Sequence, residues 1–140
     1  MPENHFNDLI SFLNKLLEAE RAGVKVLSKL LPQINDSNME KMVKHFLHDE
    51  GMNCQILKTV IENSGGEIST SVGDFVQKIG ALETLNEKFE LLIRGQEWVA
   101  KYIRKNRKLA IKVSDMMFLE SIKVQHEENV DRLRAYINKI

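Results

Sequence analysis

Plotted at about 100° per residue, the apolar positions of this chain fall on four separate stripes, each the buried face of a helix. The first carries Phe6, Leu9, Leu13, Leu16, Leu17, Val24, Leu27 and Leu31. It begins near Asn4 or Asn7, either of which could cap it, and stops at Pro32, which has no N–H to continue the ladder. The second runs from a capping box at Ser37 and Glu40 to about Asn63, with Met39, Met42, Val43, Phe46, Leu57, Val60 and Ile61 facing inward. Ser64-Gly65-Gly66 ends it. From there to about Ala81 the pattern weakens into Gly, Ser and Thr, with one short helical turn expected around Phe75 to Ile79. A third helix follows from about Leu82 to Lys105, with Leu85, Phe89, Leu92, Val99 and Ile103 inward. A polar link, Asn106 to Lys112, leads to a fourth, capped by Ser114 and running to the carboxyl end with Leu119, Ile122, Val130, Leu133 and Ile137 inward.

The links set the topology. Pro32 to Asp36 is short, so helices 1 and 2 are expected antiparallel, and the same holds for 3 and 4. The link between helices 2 and 3 exceeds the usual 2 to 8 residues of a bundle connection, so it should cross the length of the molecule and leave those helices parallel. The expectation is one all-α domain over residues 1–140, a four-helix bundle with a long crossover. Two further apolar lines stand outside the stripes, Phe12, Ala19, Val26 and Leu30 on helix 1 and Leu91, Trp98 and Tyr102 on helix 3. They suggest contact with the crossover or a homodimer through the outer faces of helices 1 and 3.

Composition narrows the function classes. Lys and Arg number 20 against 20 Asp and Glu, so no overall basic field favours nucleic acid or an anionic membrane. The basic run Lys101 to Lys108 ends a helix, where cations suit the negative end of its dipole. No apolar run is long enough for a bilayer span and the amino terminus lacks a signal core, so a cytoplasmic protein is expected. Cys54 is the single cysteine and reads as a small reduced residue at the core margin, which leaves no intrachain disulfide and no thiolate cluster. Met39, Met42, Met116 and Met117 are expected to fill the ends of the core, and Trp98 to pack in an interface. Phosphate loops, nucleophile elbows, His-Glu-x-x-His and Cys-x-x-Cys motifs are absent.

What the apolar stripes do not explain is their polar members. Glu20 interrupts helix 1, Glu50 and Asn53 helix 2, Gln96 helix 3, and His126 helix 4, with Asn129 at the edge. Each lies near mid-helix, so they should meet. By the same register Glu18, His45, His48, Glu127 and Glu128 point away and read as solvated. A lone ionised carboxylate out of water is prohibitive, so buried glutamates must be paired, protonated or bound to metal. A divalent cation would relieve the repulsion of two. A protonated His126 is the alternative, with Gln96, Asn53 and Asn129 supplying hydrogen bonds.

Two antiparallel helix pairs joined by a long crossover, with Leu13–Gly23 (LNKLLEAERAG), Arg94–Ile103 (RGQEWVAKYI) and His126–Val130 (HEENV), resemble the ferritin-like, di-iron carboxylate superfamily, closest to a branch of small bacterial proteins of unknown function. That pattern takes a glutamate from each of two helices and Glu-x-x-His from each of the others. Glu20 and Glu50 match it; Asn53 replaces a histidine, Gln96 a glutamate, and His126-x-x-Asn129 stands for Glu-x-x-His. Two ferrous ions carry four charges and two glutamates offset half of them. The resemblance therefore implies a reduced site, holding at most one iron or manganese ion on Glu20, Glu50 and His126, with Asn53, Gln96 and Asn129 orienting ligands or water. Oxygen- or peroxide-related chemistry would follow. The competing expectation is a metal-free structural or interaction protein whose polar network fixes helix register.

Overall fold

The computed structural model describes residues 2–138, with side chains from His5 onward. Four long helices, α1 (Pro2–Leu30), α2 (Ser37–Asn63), α4 (Leu85–Asn106) and α5 (Val113–Ile137), are joined by a crossover that carries the short α3 (Phe75–Gly80). Single 3₁₀ turns at Leu31–Gln33 and Arg107–Leu109 close α1 and α4. No strand occurs among the described residues. The short helix inside the crossover lies where the sequence places it.

Helix starts differ from expectation in instructive ways. Asn7 lies inside α1, and the side chain of Asn4 is outside the described residues. Asp36, not Ser37, caps α2: its carboxylate accepts the backbone N–H of Met39 at 2.9 Å. An ionised carboxylate at that position also complements the positive end of the dipole. The reciprocal capping box belongs instead to α4, between Thr84 and Glu87, so this helix begins three residues later than Leu82. Ser114 falls within α5, whose N-cap, Lys112, offers no side-chain bond.

The course of the crossover is set by a polar edge on α1. Gly66 packs on Ile10, where a Cβ would fall 2.5 Å from Cδ1 of that side chain. Asn14 then donates to the Glu67 carbonyl and accepts the Ser69 N–H, both at 2.8 Å. Ser69 Oγ donates to Glu18 at 2.7 Å, and Arg21 donates to the Ser71 carbonyl at 2.8 Å. Asn14, Glu18 and Arg21 recur at helical spacing, so the crossover climbs α1 one turn at a time. Glu18 is thus a half-buried anchor rather than a solvated charge. Near the far end of α1, Lys88 on α4 donates to Gln33 at 3.2 Å. The third long helix therefore starts at the end where α2 starts, and the two run parallel.

Two apolar clusters fill the bundle. One, around Phe12, Leu16, Leu57, Ile103 and Ile122, lies toward the amino end of α1; the other, around Leu27, Phe46, Phe89, Leu92 and Leu133, toward its carboxyl end. The inward polar residues form the layer between them. Most of the outer line of α1 is covered within the chain: Phe12, Val26 and Leu30 are fully buried, and the Phe12 ring meets Tyr102 at 5.4 Å, tilted by 57°. Tyr102 in turn stacks on Trp98 at 4.7 Å. Of the two outer lines, Phe12, Val26 and Leu30 are thus buried within the chain, Ala19, Leu91 and Tyr102 are half-buried, and Trp98 is exposed. Met116 and Met117 are also exposed rather than filling the core end. No helix among the described residues is long and apolar enough to cross a membrane.

Candidate metal centre

Glu20, Glu50 and His126 come from α1, α2 and α5, and all three are buried. One ligand atom from each lies within 4.8 Å of the others. Backbone chemistry selects which histidine nitrogen is offered. Nδ1 of His126 lies 2.9 Å from the Ile122 carbonyl, which only accepts, so Nδ1 carries a proton and Nε2 faces the carboxylates. Nε2 is 2.8 Å from Oε1 of Glu20. That separation is short enough for a hydrogen bond, yet its direction is not: Nε2 and both Glu20 oxygens are buried without a hydrogen-bond partner. The two groups form an ion pair when the ring is charged, but not an aligned hydrogen bond. Ligand atoms at about 2.1 Å from one ion and at right angles to each other lie about 3 Å apart. The pair thus has the spacing of adjacent metal ligands and lacks the alignment of a hydrogen bond.

Glu50 reaches this centre over Gly23. A Cβ on Gly23 would fall 2.0 Å from Glu50 Oε1, so the carboxylate lies where any other residue's side chain would begin. Sequence reasoning missed Gly23, although it follows Glu20 by three residues and so lies on the same face of α1. On the opposite side, Gln96 donates to Glu50 Oε2 at 3.4 Å and accepts from Asn129 at 3.3 Å. Gln96 and Asn129 therefore join the glutamates as expected by register. Asn53 does not: it donates to Gln125 at 2.7 Å, a contact between α2 and α5 beside the centre. Gln125 carried no sequence signal, being half-buried next to the fully buried His126. His45 and His48 are exposed, and His45 pairs with Asp49 at 3.2 Å.

Electrostatics follow from burial and crowding. Glu50 is held well above the usual carboxylate range, first by burial and then by Glu20, while His126 and Gln96 pull the other way. At His126 burial favours the neutral ring, but Glu20, and then Glu50 and the Ile122 carbonyl, outweigh it and raise the pKa to about 9. Cys54, pushed to about 11 by burial and then by the two glutamates, stays a thiol. The donor set is two carboxylates and one imidazole nitrogen, with orphaned buried atoms on two of the three residues. It fits one divalent ion with charge balance; a second ion would bring two more positive charges against neutral Gln96 and Asn129.

Comparison with known proteins agrees with this architecture. A family model described as "Domain of unknown function (DUF6306)" matches residues 7–135. No curated protein matches the sequence. The chain is similar to a solved structure described as "Crystal structure of ferritin like, diiron-carboxylate proteins from Bacillus anthracis str. Ames". The TM-score is 0.82 and the identity 16%, over 95% of this chain and 97% of that one. At that identity the likeness is one of fold.

Proposed function

The chain belongs to the DUF6306 family and has the ferritin-like fold, and from that premise we propose that it binds one transition-metal ion, iron or manganese, through Glu20, Glu50 and His126. The observation that supports this most directly is the set of orphaned buried atoms, Nε2 of His126 and both oxygens of Glu20, convergent with Glu50. The 2.8 Å contact between His126 and Glu20 is an ion pair when the ring is charged, but without aligned hydrogen bonds it offsets the burial of these groups only in part, and an ion at their convergence would complete it. A bound iron or manganese ion would supply one-electron chemistry toward oxygen or peroxide, with coordination positions left over by a three-residue set. The protein's share is positional. Ile122 fixes the histidine tautomer, Gln96 holds one oxygen of Glu50, Asn129 holds Gln96, and Gly23 makes room for the other oxygen.

Elemental analysis of protein purified without chelator, followed by titration with ferrous and manganous ions, tests this. About one equivalent per chain is expected; less than about a tenth of an equivalent, with no uptake on titration, overturns it. A second reading has its own support. The proton-rich state, with His126 charged and Glu50 protonated, balances the charges without metal, and Gln96 and Asn129 complete a polar network that could fix helix register. Glu20→Gln separates the two, abolishing metal uptake under the first and altering only stability and its pH dependence under the second.

A further inference from the structure

Between α1 and α4, beneath the crossover, lies a cleft of about 600 Å³. That is the size of a small-molecule site and too small for a docked helix. Its lining includes Glu50 and Gln96, both buried members of the candidate metal centre. The walls above them are apolar: Ala19 and Ala22 from α1, Leu91, Leu92 and Val99 from α4. Small residues let its lining groups approach: Gly23 on α1 admits the Glu50 carboxylate, and Gly95 leaves a notch on α4 that the Phe75 ring enters, 2.7 Å from where a Cβ would stand. Phe75 and the preceding turn, with Gly73 at φ 68°, bring the crossover down as the third wall. The cleft therefore connects solvent to the polar layer through an apolar passage.

Charge at the mouth is uneven. Glu18 is engaged by Ser69, and Asp74 pairs with Lys78 at 3.5 Å. Lys15 and Arg94, both exposed and both lining the cleft, have no carboxylate within 4.0 Å among the described residues. Glu18 keeps its charge, since a hydroxyl does not neutralise a carboxylate, but Lys15 and Arg94 together outnumber it, and a net positive mouth over apolar walls and a polar floor describes the complement of a particular molecule. We infer that the cleft between α1 and α4 binds a small organic acid, its carboxylate held at the mouth by Lys15 and Arg94 and its apolar body directed toward Glu50 and Gln96. The cleft as the substrate side of the centre rests on the metal reading above; the binding itself does not.

Trp98, the chain's one tryptophan, lines the cleft and reports on it directly. Decanoate is titrated into the metal-free full chain in the presence of chelator while Trp98 emission is followed, with 1-decanol as the neutral control. A saturable change at one decanoate per chain is expected, with 1-decanol at least tenfold weaker. Ala19→Phe, which fills the cleft from its wall, should weaken decanoate at least tenfold with an unchanged helical circular-dichroism spectrum. Should that variant fail to fold, the double charge reversal Lys15→Glu, Arg94→Glu lies on exposed positions and should weaken decanoate tenfold or more while leaving 1-decanol unaffected. The absence of saturation, equal binding of the alcohol, or indifference to charge reversal each overturns the proposal. Because chelator is present throughout, this outcome is independent of metal uptake, which elemental analysis reads separately.

Discussion

Gly23 illustrates how one absent side chain sets the geometry of a charged one. The Glu50 oxygen occupies the position of its missing Cβ, so Gly23→Ala must displace that carboxylate, although alanine is the better helix former. The variant should remain helical and lose at least tenfold in metal affinity, about 1.4 kcal/mol, measured by manganous-ion titration. If its affinity equals that of the wild type, Glu50 is not a ligand in the position seen. His126 carries a second prediction. Its folded pKa of about 9 exceeds the ordinary 6.5, and that of Glu50 is raised as well, so both bind protons more tightly in the folded chain. Each therefore favours folding at lower pH and loses that contribution as pH rises, His126 fully below about 6.5 and no longer above about 9. Thermal unfolding of the metal-free protein should show falling stability across this window, and His126→Gln should flatten the slope. A flat wild-type profile would show the pair to be uncoupled from folding.

At the scale of the helices, two devices can be separated by mutation. Asp36→Ala removes the cap of α2 and should cost about 1 kcal/mol by denaturant unfolding, whereas Ser37→Ala should cost little. The crossover depends on the polar edge of α1, where Asn14 makes both a donor and an acceptor bond to it. Asn14→Ala should speed amide exchange at Ser69 and its neighbours while leaving the cores of α2 and α5 protected; uniform protection throughout would mean that apolar contacts alone hold the segment. The helices themselves were legible because a stripe recurs every 3.6 residues. Their caps were not, since Asp36 and Ser37 are both good capping residues and only the backbone turn decides between them. Glu18 was misread for a related reason: helical register says that a side chain points away from the core, not that a crossover passes on that side.

For the whole molecule, metal binding and folding are linked. If the three ligands come together only in the folded chain, manganous ion at a hundred times its Kd should add about 2.7 kcal/mol to stability, read by calorimetry as a raised Tm that Glu20→Gln abolishes. The order of helices, the four-helix bundle with its long crossover, and the inward register of Glu20, Glu50, Gln96, His126 and Asn129 were written in the sequence, because burying an apolar stripe against its neighbours leaves a helical chain few arrangements. Register along one helix cannot say what its side chain meets on another. Only the tertiary structure decided that Asn53 turns to Gln125, that Gly23 admits Glu50, that the crossover runs along Asn14, Glu18 and Arg21 of α1, and that a cleft opens onto the polar layer. Each depends on the separation and rotation of packed helices, quantities that no single helix's periodicity contains.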